Sequence, residues 1–410
     1  MANICMRLAV LVISLLFGSS YLTFVCWRVK VAKVETNSEL APENTALVEL
    51  RYINASMIPQ KVPENTLSDD CVTYDPFSNI ARAAGSPVWL RNESRIESWT
   101  CPQGIGRDTF RHHKCCNSLG SRGKYGAKKG LYLDCGCQRH HAASDFLRKF
   151  TGKTVTFIGD SLTEQTYASL VMDLMDENVH VERLPSKTYL TGADNTFTPT
   201  NQSCLMDWGT KVSVCADKRG KREACLCSGT VSYYVKAYDV RLVLHEFYEM
   251  HLPGHTEWNE GRPLLMMTNA GLISHLVNKS DVSIVNVGLH YAEQSGFYTR
   301  LVIKYLVDLL DDDGRKKGVK NLFRLTFPQH FGWGDFFSRT KYTLGDSNIL
   351  PHWTSVIQET LMRGRANVVG VDYFNVLDRA HNLHNRDGSH FCRTPEMWYP
   401  MWRILAKVLG

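Results

Sequence analysis

The residues of this chain that are best suited to chemistry lie at 154–169, TVTFIGDSLTEQTYAS. The segment begins with a run of β-forming residues, as expected for a strand buried on both faces of a parallel sheet. Gly159 permits a sharp turn, and Asp160 or Ser161 can cap the helix that the pattern of the following residues allows. Catalytic groups of open α/β sheets lie beyond the carboxyl ends of strands, so Ser161 is placed to be a nucleophile. An ordinary capped helix start is the alternative interpretation of these residues.

A serine nucleophile needs a base, and residues 386–392, RDGSHFC, supply a histidine near the C-terminus. Asp387 and His390 are close enough in sequence to lie on one turn, with the carboxylate orienting the imidazole and the imidazole facing Ser161. In such a triad the histidine removes the serine proton, and the carboxylate holds the tautomer and stabilises the charged ring. A DxxH sequence alone is weak support, but it gains weight in a chain that also has a GDS after a strand.

Acyl transfer also requires hydrogen-bond donors for the oxyanion that develops during attack. The sequence NVGLH at 286–290 follows a strand and offers an amide, a flexible glycine and a histidine at the same edge of the sheet. We expect Asn286 or the backbone of Gly288 to donate, together with the Ser161 amide, and His290 to lie nearby. A strand-ending turn with a core histidine is the alternative. Two further glycines are candidates for a second donor: Gly192 and Gly209.

These blocks resemble the PC-esterase group of the SGNH/GDSL hydrolase superfamily. The matching sequences are GDSL at 159–162 with Gln165, NVGLHY at 286–291, RLTFPQHF at 324–331 and DGSHFC at 387–392. The group includes trichome-birefringence-like polysaccharide O-acetyltransferases, many of them anchored in Golgi membranes. The resemblance spans about residues 154–409 and implies a three-layer α/β/α fold with a mostly parallel central sheet. It also implies that Ser161, Asp387 and His390 form the triad.

Two residues depart from the pattern of this group. Glu164 stands where many relatives have a basic residue, so an inherited arginine function is in doubt. Gly388 stands where many relatives have a cysteine, so their disulfide pattern cannot be copied to this chain. Neither departure affects the triad itself.

Strand-like and helix-like segments alternate after the serine. Strands are predicted at 231–236, 240–247, 281–287, 321–327 and 367–373. Helices are predicted at 162–175, 264–277, 297–310, 353–362 and 398–409, the third ending at the run DDDG. Strands that are separated by helices favour a parallel or mostly parallel sheet. The sequence therefore predicts one α/β catalytic domain over residues 151–410.

The N-terminal part is expected to be outside that domain. Residues 1–7 form a short tail, and residues 8–27 are apolar and uncharged over a length that spans a bilayer as a helix. A signal anchor is the leading interpretation, and a cleaved signal peptide is the alternative. Residues 28–70 are polar with scattered prolines and read as a stem or linker. Both interpretations place the catalytic domain in the secretory lumen or outside the cell.

Cysteine usage agrees with an oxidising compartment. The chain has 13 cysteines, of which Cys5 and Cys26 belong to the N-terminal segment, and an odd number remains. Residues 71–150 are rich in Cys, His, Gly and Arg and are expected to form a disulfide-held cap. Disulfides are preferred to a metal site, because the close pairs lack common zinc-ligand spacing. Candidate glycosylation sites follow the N-x-S/T pattern: Asn54, Asn92, Asn201 and Asn278.

Composition limits the possible partners. The chain is 44% hydrophobic and 21% charged, as in ordinary globular proteins. The net charge of +6 is modest for 410 residues and permits acidic partners such as anionic glycans, although solvated surface lysines also explain it. A basic stripe with interleaved aromatic residues is absent from the sequence, so nucleic acid is not expected as a partner.

The residues and the resemblance together predict acyl ester chemistry. The expected enzyme is an O-acetyltransferase that moves an acetyl group onto glycan hydroxyls through an acyl-serine. A carbohydrate O-acetyl esterase is the alternative, and a non-catalytic glycan-binding protein is a third. The anchor and stem favour a single-pass Golgi membrane transferase with a lumenal domain, whereas a cleaved N-terminus favours a secreted esterase. No bound cofactor or metal is expected; the acetyl donor, acetyl-CoA or an acetylated intermediate, is a co-substrate.

Overall fold

The structure is a computed structural model that describes most of the chain from Val72 onward. The described residues are 72–83, 87–90, 130–133, 141–207, 209–210, 212–253, 267–288, 290, 296–329, 349–378, 389–391 and 395–409. All of them belong to one compact unit, Ser68–Gly410. The predicted anchor and stem lie outside the described residues. Among the described residues, none of the helices has the length and apolarity needed to cross a bilayer.

The described strands are short, as is usual for α/β proteins. They are β1 (Val72–Asp75), β2 (Ile80–Ala83), β3 (Pro87–Leu90), β4 (Gly130–Leu133), β5 (Thr154–Gly159), β6 (Val181–Thr191), β7 (Phe197–Thr200), β8 (Ser203–Asp207), β9 (Val212–Ala216), β10 (Arg222–Ala224), β11 (Cys227–Val235), β12 (Val240–Glu246), β13 (Glu249–His251), β14 (Met267–Asn269), β15 (Val282–Val285), β16 (Asn321–Arg324) and β17 (Val368–Asp372). The α-helices are α1 (Ala142–Arg148), α2 (Ser161–Asp176), α3 (Ala270–Lys279), α4 (Gly296–Lys317), α5 (Ile349–Met362), α6 (Phe374–Asp378) and α7 (Pro395–Leu409).

The largest sheet contains ten strands in the order β1-β2-β17-β16-β15-β5-β12-β11-β6-β7. Strands β2 to β12 in this order are parallel to their neighbours, and the outer strands on both sides are antiparallel. The mixed α/β class and the parallel centre of the sheet agree with the sequence-based expectation. Because the central strands are parallel, their carboxyl ends meet at one edge, which we call the carboxyl edge.

Helices cover both faces of this sheet. Side chains of β5 alternate between the two faces, so Val155 and Phe157 pack in one apolar cluster and Ile158 packs in another. The first cluster also contains residues of α1, α2 and α7, and the second contains residues of α3 and α4. A strand that is buried on both faces consists mainly of apolar and β-branched residues, which explains why β5, TVTFIG, was recognisable in the sequence.

Two predicted helices differ from the observed ones by six residues or more at one end. The helix predicted at 297–310 continues through Asp313 and Gly314 to Lys317, because Asp313 is buried and binds the Lys317 ammonium. The glycine that follows the helix with a left-handed backbone is Gly318, at φ 67°. The helix predicted at 264–277 begins only at Ala270, because the Asn269 side chain caps it by accepting from the Leu272 amide.

Part of the predicted cap belongs to the large sheet. Strand β2 lies parallel to β17 with Ile80 opposite Gly370, and β1 pairs with β2 at the edge. Most of the remaining residues in 71–150 lie outside the described residues. Strands β1 and β2 therefore extend the ten-stranded sheet, β3 and β4 pair in a separate sheet, and α1 packs against the core of the large sheet.

Burial of His245 predicts a pH-dependent stability. This residue of β12 is buried, its Nδ1 lies 3.1 Å from the Gly229 carbonyl, and burial lowers its pKa from 6.5 to about 4. The unfolded chain therefore binds more protons than the folded chain between these values, and stability falls as the pH falls from 6.5 to 4. We expect His245 to account for a loss of roughly 3 kcal/mol across this window. Chemical denaturation at several pH values should show a smaller loss for His245→Gln, and an identical pH dependence would contradict the assignment.

Candidate active site

Ser161 stands at the carboxyl edge, where β5 turns into α2. A Cβ atom on Gly159 would collide with Thr163 Oγ1 and with the Asn286 carbonyl oxygen, so the turn requires glycine at this position. Asp160 is the N-cap of α2, and its Oδ1 accepts from the backbone amides of Leu162 at 3.0 Å and Thr163 at 3.3 Å. The sequence-predicted strand, turn and cap are therefore all present. They fix Ser161 in the first turn of the helix.

The structure brings Ser161 and His390 together. His390 Nε2 lies 2.8 Å from Ser161 Oγ, although the two residues are 229 positions apart in sequence. Both side chains belong to buried residues, with 2% exposure for Ser161 and 8% for His390. This geometry permits direct transfer of the serine proton to the imidazole. Asp387, the predicted third member of the triad, lies outside the described residues.

Two buried glutamines bind the residues on either side of His390. The Gln165 side chain of α2 pairs with the Phe391 backbone, accepting from its amide at 3.1 Å and donating to its carbonyl oxygen. On the other side, Gln329 Nε2 donates to Ser389 Oγ at 2.6 Å. Both glutamines are fully buried, so these bonds are shielded from water. Gln165 and Ser161 lie on the same helix, and the helix therefore carries both Ser161 and a support for His390.

Removing the Gln165 bonds should misplace His390. In Gln165→Leu the Phe391 amide and carbonyl lose their bonds to the Gln165 side chain. We expect the rate of ester chemistry to fall by about 100-fold, because a shift of about 1 Å in the His390 imidazole typically has an effect of this size. The measurement is the rate at which a fluorophosphonate labels Ser161, which depends on activation by the base.

A matched control for this prediction is Trp402→Phe. It removes a buried hydrogen bond to Asp173 on the same helix, where Trp402 Nε1 donates to Asp173 Oδ2 at 2.6 Å. Asp173 lies about 18 Å along the helix from Ser161 by helical rise. Both variants should lose stability, but only Gln165→Leu should lose labelling. Equal labelling of the two variants would show that Gln165 is merely structural.

A buried arginine lies beside the turn that contains Ser161. Arg324, at the end of β16, donates from Nη2 to Thr163 Oγ1 at 3.0 Å, and the same nitrogen is 3.8 Å from Asp160 Oδ1. Its guanidinium also stacks over the Phe327 ring, with Cζ 4.0 Å from the ring centre. Burial lowers the Arg324 pKa to about 10, against the raising effect of Asp160. Burial likewise raises the Asp160 pKa, and the Arg324 charge opposes that rise.

The position of Arg324 is relevant to Glu164, which departs from the residue pattern of the PC-esterase group. Glu164 stands where the resemblance to the PC-esterase group leads us to expect a basic residue, and it is buried at 3% exposure. A guanidinium nevertheless lies beside the GDS turn, contributed by Arg324 from a strand that is distant in sequence. The sequence placed Arg324 in the RLTFPQHF block but gave no sign of its contact with Asp160.

The predicted oxyanion block lies next to the serine turn. The Asn286 backbone amide donates to the Ile158 carbonyl at 2.9 Å, and its side-chain Nδ2 donates to the Arg324 carbonyl at 2.6 Å. An amide nitrogen carries two N–H groups, so this bond engages one of them. Gly288 packs against α5, where a Cβ would lie 2.6 Å from Thr354 Cγ2 and 2.7 Å from Thr326 Oγ1.

The two glycines considered as further donors are committed to local turns. The Gly192 amide donates to the Thr196 carbonyl at 2.8 Å, and the Gly209 amide donates to Asp207 Oδ1 at 3.0 Å. An amide that already donates within its own turn is poorly placed to bind an oxyanion. The described structure therefore gives no support to either glycine as the second donor.

His290 forms an aromatic contact at the same edge. Its ring stacks on Tyr248, which follows β12, with ring centres 4.4 Å apart and planes inclined by 28°. Both side chains are buried, and Tyr248 Oη donates to Glu246 Oε1 at 3.0 Å. The sequence predicted that His290 lies near the site, but it did not identify Tyr248 as a site residue. A ring that stacks on a histidine from another part of the chain leaves no local pattern in the sequence.

The described cysteines form disulfides. Cys204 is bonded to Cys227 and Cys215 to Cys225, so the closely spaced cysteines 225 and 227 are not bonded to each other. The group Cys215, Cys225 and Cys227 is the cluster of metal-ligand type in the described part of the chain, and these bonds engage all three sulfurs. The other cysteines lie outside the described residues.

Two of the predicted glycosylation sites can be located. Asn201 and Asn278 are exposed at the surface, as an acceptor site requires. Asn54 and Asn92 lie outside the described residues.

Comparisons with known proteins give little further information. No family model matches the chain, and no curated protein matches it. Among solved structures, the chain is similar to one titled "Peptidoglycan O-acetylesterase in action, 5 min", with a TM-score of 0.33 and 12% sequence identity. The match covers 66% of this chain and 97% of that chain. A TM-score this low carries no argument about function, which therefore rests on the residues of the site.

Proposed function

We propose that this protein is an acyl-transfer enzyme that acts on O-acetyl groups of glycans through Ser161. The observation that carries the proposal is the 2.8 Å contact between Ser161 Oγ and His390 Nε2 at the carboxyl edge. A hydroxyl and an imidazole in this arrangement are a nucleophile and its general base. The buried supports of both residues favour a catalytic role, because a merely structural histidine needs no such fixed orientation toward a serine.

The first half of the reaction forms an acyl-serine. Ser161 Oγ attacks the ester carbonyl carbon while His390 Nε2 takes the hydroxyl proton, which gives a tetrahedral intermediate with a negatively charged oxygen. The Ser161 backbone amide, at a helix N-terminus, and the second N–H of Asn286 are the proposed donors to this oxygen. The bond to the leaving group then breaks, His390 returns the proton to the leaving atom, and the acetyl group remains on Ser161.

The second half determines the direction of the enzyme. His390 takes a proton from an incoming hydroxyl, that oxygen attacks the acyl-serine, and the proton returns to Ser161 Oγ. A sugar hydroxyl as acceptor makes the protein an O-acetyltransferase, and water makes it a carbohydrate O-acetyl esterase. The predicted anchor and stem favour the transferase, with a lumenal domain held at a Golgi membrane. We propose that the acetyl group comes from a diffusible ester or thioester, such as acetyl-CoA or an acetylated intermediate. The reaction as proposed uses no bound cofactor.

The proposal is tested with purified protein in two parallel reactions. One contains an acetylated glycan and measures released acetate; the other contains a labelled acetyl donor with an unacetylated glycan and measures label on the glycan. Label transfer that exceeds acetate release identifies the transferase, and the reverse identifies the esterase. The absence of both reactions, together with no fluorophosphonate labelling of Ser161, would favour the non-catalytic glycan-binding alternative.

A further inference from the structure

The turn between β9 and β10 is rigidly built. Asp217 holds it from inside, because its Oδ1 accepts from the amides of Arg219 at 2.8 Å and Lys221 at 3.0 Å. Its backbone also pairs across the turn, with the Asp217 amide donating to the Lys221 carbonyl at 3.2 Å. Gly220 has φ of 78°, a left-handed conformation that favours glycine. The tip therefore has one defined shape.

Two disulfides brace the base of this hairpin. Cys215 of β9 is bonded to Cys225, which directly follows β10, so the two strands are covalently joined. Cys204 of β8 is bonded to Cys227, the first residue of β11, so the three-stranded sheet of β8, β9 and β10 is tied to the ten-stranded sheet. The hairpin consequently cannot move far from the end of β11 to which it is attached.

The tip carries a dense set of exposed positive charges. The residues between β9 and Ala224 read DKRGKRE, and the four cations among them are exposed: Lys218, Arg219, Lys221 and Arg222. Of the two acids, Asp217 faces the turn amides, and Glu223 pairs with Lys221. Three cations therefore project from a braced turn without a carboxylate of the turn directed at them. We call residues 217–223 the basic hairpin.

The base of the basic hairpin lies at the carboxyl edge. Strand β11 starts there, since its Gly229 is opposite Glu246 of β12, and Glu246 is in turn opposite Gly159 of β5. Two inter-strand spacings separate Gly229 from Gly159, which is about 10 Å across the sheet. Cys227 is two residues before Gly229 in the chain. The hairpin thus adjoins the same edge of the sheet that presents Ser161.

We propose that the basic hairpin binds an anionic glycan, a polymer with sulfate or uronate groups, and so holds the substrate chain beside Ser161. This identification of the polymer as substrate rests on the proposed acyl-transfer function, whereas the binding itself does not require catalysis. Arg219 and Arg222 present planar guanidinium groups that suit sulfate and carboxylate oxygens. Because the basic hairpin is already rigid, its own residues lose little conformational entropy when a polymer binds.

An anionic glycan fits the hairpin better than other polyanions. The sequence DKRGKRE contains no aromatic residue on which nucleic-acid bases would stack. It also contains no apolar residue that would insert into a lipid surface. Attachment at the acyl-transfer edge is a further reason, because it places the bound polymer near the proposed reaction.

The test measures binding of the whole protein to dextran sulfate and to neutral dextran. We expect wild type to bind only dextran sulfate, with an affinity that falls steeply as salt rises, because each ionic contact releases counterions. The variant Lys218→Gln/Arg219→Gln should bind about 10-fold more weakly with a shallower salt dependence. Its thermal unfolding midpoint should match wild type, which shows that the fold is intact.

The matched control is Arg315→Gln/Lys316→Gln. This control also removes two positive charges, but from the exposed end of α4. The end of α4 is close in sequence to Asn321, where β16 starts, and therefore lies at the opposite edge of the sheet from the carboxyl edge. This control should bind dextran sulfate as wild type does. The proposal is overturned if the hairpin variant binds dextran sulfate as wild type does, or if the control loses as much binding as the hairpin variant. It is also overturned if wild type binds DNA or phosphatidylserine vesicles more tightly than dextran sulfate. If wild type binds dextran sulfate through the basic hairpin but has no acyl-transfer activity, only the proposed function is refuted.

Discussion

Replacing Ser161 by alanine is expected to lower acetyl release or transfer by about 10⁴-fold or more, because the proposed acyl intermediate forms on the Ser161 hydroxyl. His390→Ala should cause a loss of similar size, since the hydroxyl then has no base within 2.8 Å. The double variant should be no worse than either single variant, because the two residues act as one unit. Additive losses would mean that Ser161 and His390 act in separate steps.

Ser169→Ala is the matched control for this experiment. Ser169 is a fully buried serine on the same helix, about 12 Å further along by helical rise. Its hydroxyl has no hydrogen-bond partner among the described residues, so its removal should cost little stability. The control should keep wild-type activity and should be labelled at Ser161 by a fluorophosphonate. Labelling of another residue in wild type would contradict the assignment of the nucleophile.

The central architecture was predictable because its signals are local. Strands in the middle of the sheet are rich in valine, leucine and other β-forming residues, and the predicted strands at 240–247 and 367–373 agree with β12 and β17 within one residue at each end. Ser161 could be placed at the carboxyl edge because it directly follows a buried parallel strand, whereas its pairing with His390 was inferred from the residue types and the family resemblance. Fold class and the central pair of the site could therefore be inferred from patterns within short windows.

The supporting interactions were not predictable because their partners are distant in sequence. Gln165 reads as an ordinary polar helix residue, yet its amide pairs with a backbone that is 226 positions away. Arg324 reads as the end of a strand, yet it is buried beside Asp160. The end of α4 was misplaced for a similar reason, because the burial of Asp313 depends on its contact with Asn321, at 3.1 Å, after the helix.

The buried pair of Asp160 and Arg324 should be the most costly site for stability near the nucleophile. Arg324→Met keeps a long side chain over the Phe327 ring but removes the charge, which leaves the Asp160 carboxylate buried with its cation missing. We expect the free energy of unfolding at pH 7 to fall by about 3–5 kcal/mol, as when other buried ion pairs lose one partner. Denaturant titration of the purified protein measures this change.

The pH dependence of Arg324→Met follows from the Asp160 pKa. Burial already raises this pKa above 3.8 in the folded protein, and loss of the arginine charge raises it further. A carboxyl group with a raised folded pKa contributes most stability below 3.8, where it is protonated in both states, and this contribution is lost as the pH rises through the folded value. The deficit of Arg324→Met relative to wild type should therefore shrink as the pH is lowered.

The second substitution, Asp160→Asn, separates the effect of the Asp160 charge from the effect of its N-cap hydrogen bonds. Asparagine is as good an N-cap as aspartate, so the helix start should survive while the negative charge is removed. Asp160→Asn alone leaves the Arg324 guanidinium buried with its anion missing and should also be destabilising. The double variant Asp160→Asn/Arg324→Met contains neither charge and should be more stable than Arg324→Met alone. If the two losses simply add, the charges at 3.8 Å are not coupled, and the stability of the nucleophile turn must come from the capping bonds instead.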